Sequence, residues 1–398
     1  MRISGLRALE VLDSRGMPTL KVSLDVDGIP GEFYVPAGAS TGKAEAKELR
    51  DGGARYGGKG VRKAAVRVLA LGARIHRASF KTQAEFDAVL DEEELAGNVS
   101  LGLSGAFARA SAAAQGLPLY EAFGEGRSLP RPMVNLISGG LHGGNNIPIQ
   151  DILIAPLAAK SFAESLELVW RVYQAARELV AKLDYNPHWV ADEGGFAPRF
   201  KNVEEALDFT VASIDAAGLR PGGSMAICLD VAASHAAGIT IETLEKWVSG
   251  WPIISIEDGV GEEDWEGWRT LTRSLGRIQL IGDDFFATNP ERLRRGIRES
   301  CANAVLVKMN QIGTISKTLE VIEIAKKAGY RTVVSARSGE TEDSTMSDLA
   351  VGTDAGQIKI GSIARSERLA KYNRLLEIEA ELTNPKTRRM KPKGKNSE

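Results

Sequence analysis

Six short apolar runs in the second half of the chain each end at a polar side chain that could do chemistry. In order, these residues are Asp230, Glu257, Asp283, Lys308, Ser335 and Lys359. Their successive gaps of 27, 26, 25, 27 and 24 residues each fit one strand and one helix, the repeat of a closed parallel barrel. Because barrel active sites lie at the carboxyl ends of the strands, we expect three carboxylates and two lysines to meet there.

The three carboxylates predict a metal site. Asp230, Glu257 and Asp283 offer only oxygen donors, which suit Mg²⁺, and no Cys/His cluster accompanies them to favour zinc or copper. The alternative is that each carboxylate caps the helix that follows its strand. Three on consecutive strands favour metal binding, and the neighbouring Asp258 and Asp284 are interpreted as supporting or capping groups.

Lys308 is the candidate general base. It ends the apolar run AVLV, where a cation is costly unless it meets an anion or loses its proton. Bound Mg²⁺ and Lys359 would both lower the pKa of Lys308, as a base at neutral pH requires. The alternative is a lysine that lines the barrel and pairs with Glu257.

Two further segments carry candidate ligand-binding groups. Arg337 and Ser338 follow a strand end and combine a guanidinium fork with a hydroxyl, which suits a phosphoryl group. The alternative for the arginine is a surface pair with Glu340. His142 lies among glycines rather than on an apolar face, which favours a role facing a ligand.

The chain length of 398 residues and a Gly/Pro-rich segment within it predict two domains. We expect an N-terminal α+β domain over residues 1–130, with a strand meander to about residue 55 and helices from 61 to 122, including one at 103–116. The Gly/Pro-rich segment 124–132 marks the boundary. A barrel over residues 131–382 and a basic, disordered tail over 383–398 complete the α/β chain.

The composition argues against two classes of partner. With 50 basic and 52 acidic residues the net charge is −2, so no bulk field favours nucleic acid or a membrane. Cys228 and Cys301 fit reduced core thiols, and no apolar run of eighteen residues or signal peptide is present. We therefore expect a cytoplasmic protein that is not exported.

The segments that carry these residues resemble the enolase (phosphopyruvate hydratase) family along almost the whole chain. Matching segments include VLDSRGMPT, VPAGASTG, GGLHGGNNIPIQDILIAP, ADEGGFAP, LDVAAS, SIEDG, IGDDFFATNP, VLVKMNQIGTISKT, VVSARSGETEDSTMSDLAVG and GQIKIGSIARSERLAKYNRLL. The resemblance implies an enolase-type (β/α)8 barrel with an altered first part, behind an N-terminal α+β domain. It also implies a homodimer or higher homo-oligomer.

The resemblance assigns a role to each candidate residue. It implies two Mg²⁺ ions, one held by the three strand-end carboxylates and a second held with the help of Ser40. Lys308 would abstract the α-proton, and Glu193 would protonate the departing 3-hydroxyl with Asp151 and His142 beside it. Lys359 would hold the substrate carboxylate, and the Arg337 and Ser338 pair would hold the phosphoryl group of a small phosphorylated or phosphonylated acid.

The chain departs from the family pattern at four positions. Asp151 replaces a catalytic Glu, Ala336 replaces a His before Arg337, His235 replaces a Glu, and Gly259 replaces a Pro. The first two remove volume and polar groups from the predicted substrate pocket, and Ala336 directly precedes the predicted phosphoryl-binding pair. We therefore expect a specialised hydro-lyase that resembles carboxyphosphonoenolpyruvate synthase of phosphinothricin-type antibiotic pathways.

Two alternatives to the specialised enzyme stay open. One is ordinary enolase, which converts 2-phosphoglycerate to phosphoenolpyruvate. The other is a non-catalytic relative, which is disfavoured because Lys308, Glu193, Lys359 and the three carboxylates are all present.

Overall fold

The computed structural model describes residues 1–39, 42–236 and 238–384. The chain begins with a three-stranded antiparallel sheet of β1 (Ile3–Leu12), β2 (Pro18–Val26) and β3 (Ile29–Tyr34). Side chains of β2 alternate between buried and half-buried along most of its length, as expected for a strand with one face on a core. The predicted meander is therefore present.

Helices cover one face of this sheet. They are a 3-10 turn (Arg55–Gly58), α1 (Arg62–Ala70), α2 (Gly72–Ile75), α3 (Gln83–Glu92), α4 (Gly97–Ala114) and α5 (Leu119–Phe123). The alanine-rich helix begins at Gly97, earlier than the predicted residue 103, because its glycines pack directly on the sheet. A Cβ at Gly102 would lie 2.6 Å from Val22, and one at Gly105 would lie 2.4 Å from Phe33. Close packing outweighs the poor helix propensity of glycine here.

Eight strands close the predicted barrel. They are β4 (Arg131–Ser138), β5 (Asp151–Pro156), β6 (Met225–Asp230), β7 (Ile253–Glu257), β8 (Gln279–Gly282), β9 (Ala304–Val307), β10 (Arg331–Ser335) and β11 (Gly356–Lys359). The strands follow one another in chain order around the closed barrel. All six polar residues predicted at strand ends stand at the last position of their strand or directly after it, which confirms the fold class.

One strand runs against the others. β5 pairs antiparallel with both β4 and β6. The barrel is therefore not uniformly parallel, whereas the spacing of the later strands suggested that all its strands are parallel. The first residue of β5, Asp151, pairs with Ser138 and Asp230, which are the last residues of their strands. The reversal therefore places Asp151 at the same rim as the strand-end carboxylates.

Helices surround the barrel. They are α6 (Phe162–Val180), α7 (Val203–Ala216), α8 (Ile241–Gly250), α9 (Trp265–Leu275), α10 (Pro290–Arg298), α11 (Met309–Ile312), α12 (Ile315–Lys327), α13 (Thr345–Gly352) and α14 (Ser366–Thr383). Several begin at a Ser, Thr or Asn that accepts a hydrogen bond from the first turn, as Ser161 does from Glu164. None of the helices in the described residues is long and apolar enough to cross a membrane.

Apolar side chains fill the middle of the barrel. This plug consists of Met133, Leu153, Ala155, Cys228, Ile281, Ala304, Leu306 and Val333. Cys228 and Cys301 are both buried and free, as predicted. α5 ends at Phe123 and β4 begins at Arg131, and the domain boundary near residue 130 stays a proposal. Almost all of the predicted tail, from residue 385 onward, lies outside the described residues.

Candidate active site

Most of the predicted site residues line one cavity at the rim where the strands end. They are His142, Glu193, Asp230, Asp283, Lys308, Ala336, Arg337, Ser338 and Lys359. Asp151 and Glu257 are fully buried next to this cavity, where Asp151 contacts His142 and Glu257 contacts Lys359. Ser40 lies outside the described residues. The fold thus brings together all the other predicted side chains, although their roles stay predictions.

Two lysines neutralise the three strand-end carboxylates. Lys359 Nζ donates to Asp230 Oδ2 at 2.6 Å and to Glu257 Oε2 at 2.7 Å. Lys308 Nζ donates to Asp283 Oδ2 at 2.5 Å. The partner of Glu257 is therefore Lys359, whereas the structural alternative drawn from the sequence paired Glu257 with Lys308. Burial raises the pKa of Glu257 well above its usual range, and the neighbouring Asp230 carboxylate adds to the rise.

The electrostatics at Lys308 differ from expectation. Burial is the largest influence on the pKa of Lys308 and lowers it, and Arg337 and Lys359 act in the same direction. The carboxylates, with Asp283 first and Glu257 after it, act the other way, and the net pKa is raised. The predicted lowering depended partly on a bound cation. A cation at Asp283 would compete with Lys308 for that carboxylate, which would remove the main contribution that holds the lysine protonated.

The carboxylates fit a hard divalent cation. Glu257 Oε1 is buried and accepts no hydrogen bond from the described residues, so it has a free lone pair for a ligand. Oxygen atoms of Asp258, Asp283 and Asp284 also lie within 4.8 Å of one another. A donor set of oxygens alone, with one buried oxygen unpartnered, matches the coordination preferences of Mg²⁺.

Asp258 supports this cluster through the backbone. Its two carboxylate oxygens accept hydrogen bonds from the N–H groups of Asp283 at 2.9 Å and Asp284 at 2.8 Å. Asp258 itself is buried and has a φ of 43°, a conformation that Asp and Asn tolerate better than most residues. It therefore orients the segment that carries Asp283.

A second cluster joins His142, Asp151 and Glu193. His142 Nδ1 lies 3.0 Å from Asp151 Oδ2, and its Nε2 lies 3.9 Å from Glu193 Oε1. Burial lowers the pKa of His142, but Glu193 and Asp151 outweigh it and raise that pKa to about 9. Burial raises the pKa of Asp151. Burial also acts to raise the pKa of Glu193, but nearby cations led by His142 lower it overall. This cluster can therefore store and pass a proton.

The Arg337 guanidinium is held by the N-terminal domain. Its Nη1 donates to Glu45 Oε2 at 2.9 Å and to Asn310 Oδ1 at 3.0 Å. Glu340 instead accepts from the backbone N–H of Arg337 at 3.0 Å, so the surface pair that was the alternative does not form. Ser338 Oγ accepts from Arg15 Nη1 at 3.2 Å. Sequence reasoning missed Glu45, Asn310 and Arg15, although Arg15 and Asn310 each lie within one of the matching segments.

Three of the four departures from the family pattern lie at or next to this site. Ala336 is 7% exposed and lines the cavity directly before the Arg337 and Ser338 pair. Asp151 is fully buried, with Oδ1 accepting from Ser138 Oγ at 2.9 Å. His235 also lines the cavity. The wall next to the candidate anion-binding pair is therefore formed by a methyl group.

The fold and this site together define a two-domain α/β-barrel enzyme with an acidic, cation-binding centre at the carboxyl ends of its strands. Residues 3–123 match the family profile described as the enolase N-terminal domain. Residues 126–238 and 236–395 match the enolase C-terminal TIM barrel domain. The chain is also 46% identical to the enolase of Acidothermus cellulolyticus over 406 aligned residues, covering 96% of this chain and 94% of that protein. The chain therefore belongs to the enolase family and is a hydro-lyase.

Proposed function

We propose that the protein is a Mg²⁺-dependent enolase that removes water from 2-phosphoglycerate to form phosphoenolpyruvate. The observation that supports this most is one cavity lined by a candidate base, a candidate acid and cation-binding carboxylates. Lys308 follows β9, Glu193 lies in the loop that packs on β4, and Asp230 and Asp283 lie at the same rim. The 46% identity to a protein named enolase favours this activity over the carboxyphosphono-specific one expected from the sequence.

In this proposal Asp230, Glu257 and Asp283 would hold Mg²⁺, which would supply stabilisation of the negative charge that develops on the substrate carboxylate. Lys359 contacts two of these carboxylates and is therefore next to the substrate carboxylate, which it would bind. Arg337 would take the phosphoryl group, with Glu45 giving up part of its contact to the guanidinium. A second Mg²⁺ near Ser40 remains part of the proposal.

The proposed reaction removes one proton from C2 of the substrate and adds one to the 3-hydroxyl group. Lys308 Nζ takes the proton from C2, for which it must first be the neutral amine. Glu193 carries a proton to the 3-hydroxyl, which leaves as water as the C2–C3 double bond forms. Because its pKa is lowered in the free protein, Glu193 must receive that proton, and His142 is the cationic neighbour at 3.9 Å that could supply it.

A second candidate substrate is favoured by Ala336. A methyl group beside Arg337 and Ser338 leaves room for a larger substituent on phosphorus than an imidazole would. The candidate is thus a 2-phosphoglycerate analogue whose phosphorus carries a carboxylate, acted on by the same base and acid.

Turnover of both substrates separates the candidates. We expect the parent protein to convert 2-phosphoglycerate efficiently, and Ala336→His to change the ratio of kcat/KM for the two substrates by less than about 10-fold. If the analogue is the true substrate, the parent prefers it, and Ala336→His moves the preference by about 10- to 200-fold toward 2-phosphoglycerate.

The matched control is Ala336→Val, which adds volume without a polar ring and so separates space from hydrogen bonding. A parent that turns over neither substrate in the presence of Mg²⁺ would contradict both candidates.

We also propose that the protein works in the cytoplasm as a homodimer or larger homo-oligomer. The free, buried Cys228 and Cys301 support a reducing compartment. Light scattering coupled to size-exclusion chromatography tests the oligomeric state, and a monomeric mass at micromolar concentration would overturn the proposed homo-oligomer.

A further inference from the structure

A second cavity lies at the opposite end of the barrel from the candidate active site. Its volume is about 990 Å³, and residues at or near the N-terminal ends of several parallel strands line it, including Arg131, Ser255, Gln279, Arg331 and Gln357. The apolar plug, which includes Cys228 and Leu306, fills the barrel between the two ends. This lower mouth is therefore a separate compartment from the catalytic rim.

The innermost layer of the lower mouth is polar. Successive strand side chains alternate between two faces, so Gln357 points to the same side as Lys359, and Gln279 to the same side as Ile281 of the plug. Arg331 shares the face of the plug residue Val333 in the same way. Such interior layers are usually filled by branched apolar residues. Here the lowest layer is built from amides, a hydroxyl and guanidinium groups.

Three atoms of this layer are buried without a partner among the described residues. They are Ser255 Oγ, Gln279 Nε2 and Gln357 Oε1, and all three residues line the cavity. Ser255 and Gln279 are only 1% and 2% exposed. Buried polar atoms are rarely left unpaired because the loss of hydration is costly, so these atoms indicate a bound polar molecule.

The rim of the lower mouth is basic. It carries Arg131, Lys160, Arg277, Lys326 and Arg331. No carboxylate of the described residues lies within ion-pair distance of any of them. The two acidic residues of the lining are already engaged by backbone N–H groups. Glu379 accepts from Phe162 and Ala163, and Asp354 accepts from Arg127 and Ser128. Lys326 Nζ donates to the Thr353 carbonyl and Arg277 Nη1 to the Ser274 carbonyl, so the basic side chains left for a ligand are mainly Arg131, Lys160 and Arg331.

We propose that the lower mouth is a binding site for a small molecule that bears phosphate or carboxylate groups. The guanidinium groups of Arg131 and Arg331 match such oxyanions in a bidentate manner. The amide of Gln279 supplies a buried donor, and Gln357 Oε1 accepts from a hydroxyl or a protonated oxygen of the same molecule. This site goes beyond the dehydration reaction and does not depend on it.

Calorimetric titration of the magnesium-loaded, full-length protein tests the proposal. Orthophosphate and malonate are the two probes, because they distinguish a phosphate site from a carboxylate site and bind Mg²⁺ only weakly. We expect at least one probe to bind the parent, and Arg331→Gln and Arg131→Gln each to weaken that binding by about 10-fold or more, as loss of a charge-assisted hydrogen bond predicts. Turnover at the catalytic rim should stay unchanged, which also shows that the variants fold.

Lys182→Gln is the matched control, since it removes a positive charge beyond the far end of α6, about 27 Å from the lower mouth by helix length. Arg331→Lys retains the charge without the fork and should lose less affinity than Arg331→Gln. A parent that binds neither probe, or binding that is equal in the parent and both glutamine variants and therefore belongs to the catalytic rim, would mean that neither oxyanion occupies the lower mouth. Either result overturns the proposal.

Discussion

Replacing Asp258 by Asn should weaken Mg²⁺ binding far more than it weakens the fold. The Asp258 carboxylate accepts hydrogen bonds from the backbone N–H groups of Asp283 and Asp284, and Asp283 is a proposed metal ligand. Asn has the same size and tolerates the positive φ of this position. It keeps one acceptor but turns an NH₂ group toward the other backbone N–H. One of the two hydrogen bonds is therefore lost.

The magnitude follows from opposing effects at Asp258. Loss of one such hydrogen bond costs about 1–3 kcal/mol of unfolding free energy. Burial, followed by the Asp284 and Asp283 carboxylates, raises the pKa of Asp258 well above its usual range, so removing its charge relieves part of that unfavourable interaction. The net stability loss should be at the lower end, about 1 kcal/mol. Mg²⁺ affinity should fall about 10- to 100-fold, because a misoriented Asp283 and a lost negative charge act in the same direction.

Urea unfolding of the metal-free protein and calorimetric titration with Mg²⁺ measure the two effects separately. Asp264→Ala is the matched control. It removes the cap of α9, where Asp264 accepts from Gly267, and should cost about 1 kcal/mol without changing Mg²⁺ affinity. An Asp258→Asn protein that binds Mg²⁺ as tightly as the parent would refute the positioning role.

Three further outcomes are expected. Asp283→Asn should weaken Mg²⁺ binding and abolish turnover, and full activity of the parent after exhaustive chelation would contradict a metal-dependent reaction. Lys308→Ala should stop exchange of the substrate α-proton with solvent, whereas Glu193→Gln should block dehydration but leave exchange. Exchange at the parent rate in both variants would contradict these roles. The pKa of His142 is raised from 6.5 to about 9, so its contribution to stability in the metal-free protein is complete below pH 6.5 and is lost as pH rises through 9, by up to about 3 kcal/mol. His142→Gln should flatten the pH dependence of the unfolding free energy, measured with urea, between pH 6.5 and 9. An unchanged pH dependence would contradict this contribution of His142.

The spacing of polar residues predicted the later barrel strands because each βα unit is a local repeat. From Asp230 to Lys359 every predicted strand end stands at the rim. The direction of β5 was not predicted from spacing, although the sequence held a signal. The connection between Ser138 and Asp151 is rich in Gly and Asn, with no helical pattern. Parallel neighbours are usually joined by a crossover that contains a helix, so a link without a helical pattern favours an antiparallel pair.

The contacts between the two domains could not be predicted from periodicity. Glu45 and Arg15 lie far from the barrel in sequence, yet they contact Arg337 and Ser338. Such pairings depend on how the sheet of the N-terminal domain docks on the rim, which no local pattern encodes. The pKa of Lys308 was also beyond sequence reasoning, because the sign of its shift depends on which carboxylate is nearest. Asp283, at 2.5 Å from Lys308 Nζ, makes the largest contribution that raises this pKa, and Glu257 adds to it.

The pairing of charges at the rim explains how the fold can hold a metal site without depending on the metal. Buried carboxylates are costly when unpaired, and here Lys359 and Lys308 neutralise them in the free protein. The same two lysines are the groups proposed to bind the substrate carboxylate and to take the α-proton. A cation bound among the carboxylates would compete with the lysines for these pairs, and would leave Lys359 and Lys308 available for the substrate. Chelation should therefore leave a folded protein whose lysines are again held by the carboxylates, and its inactivity would have an electrostatic cause rather than a structural one.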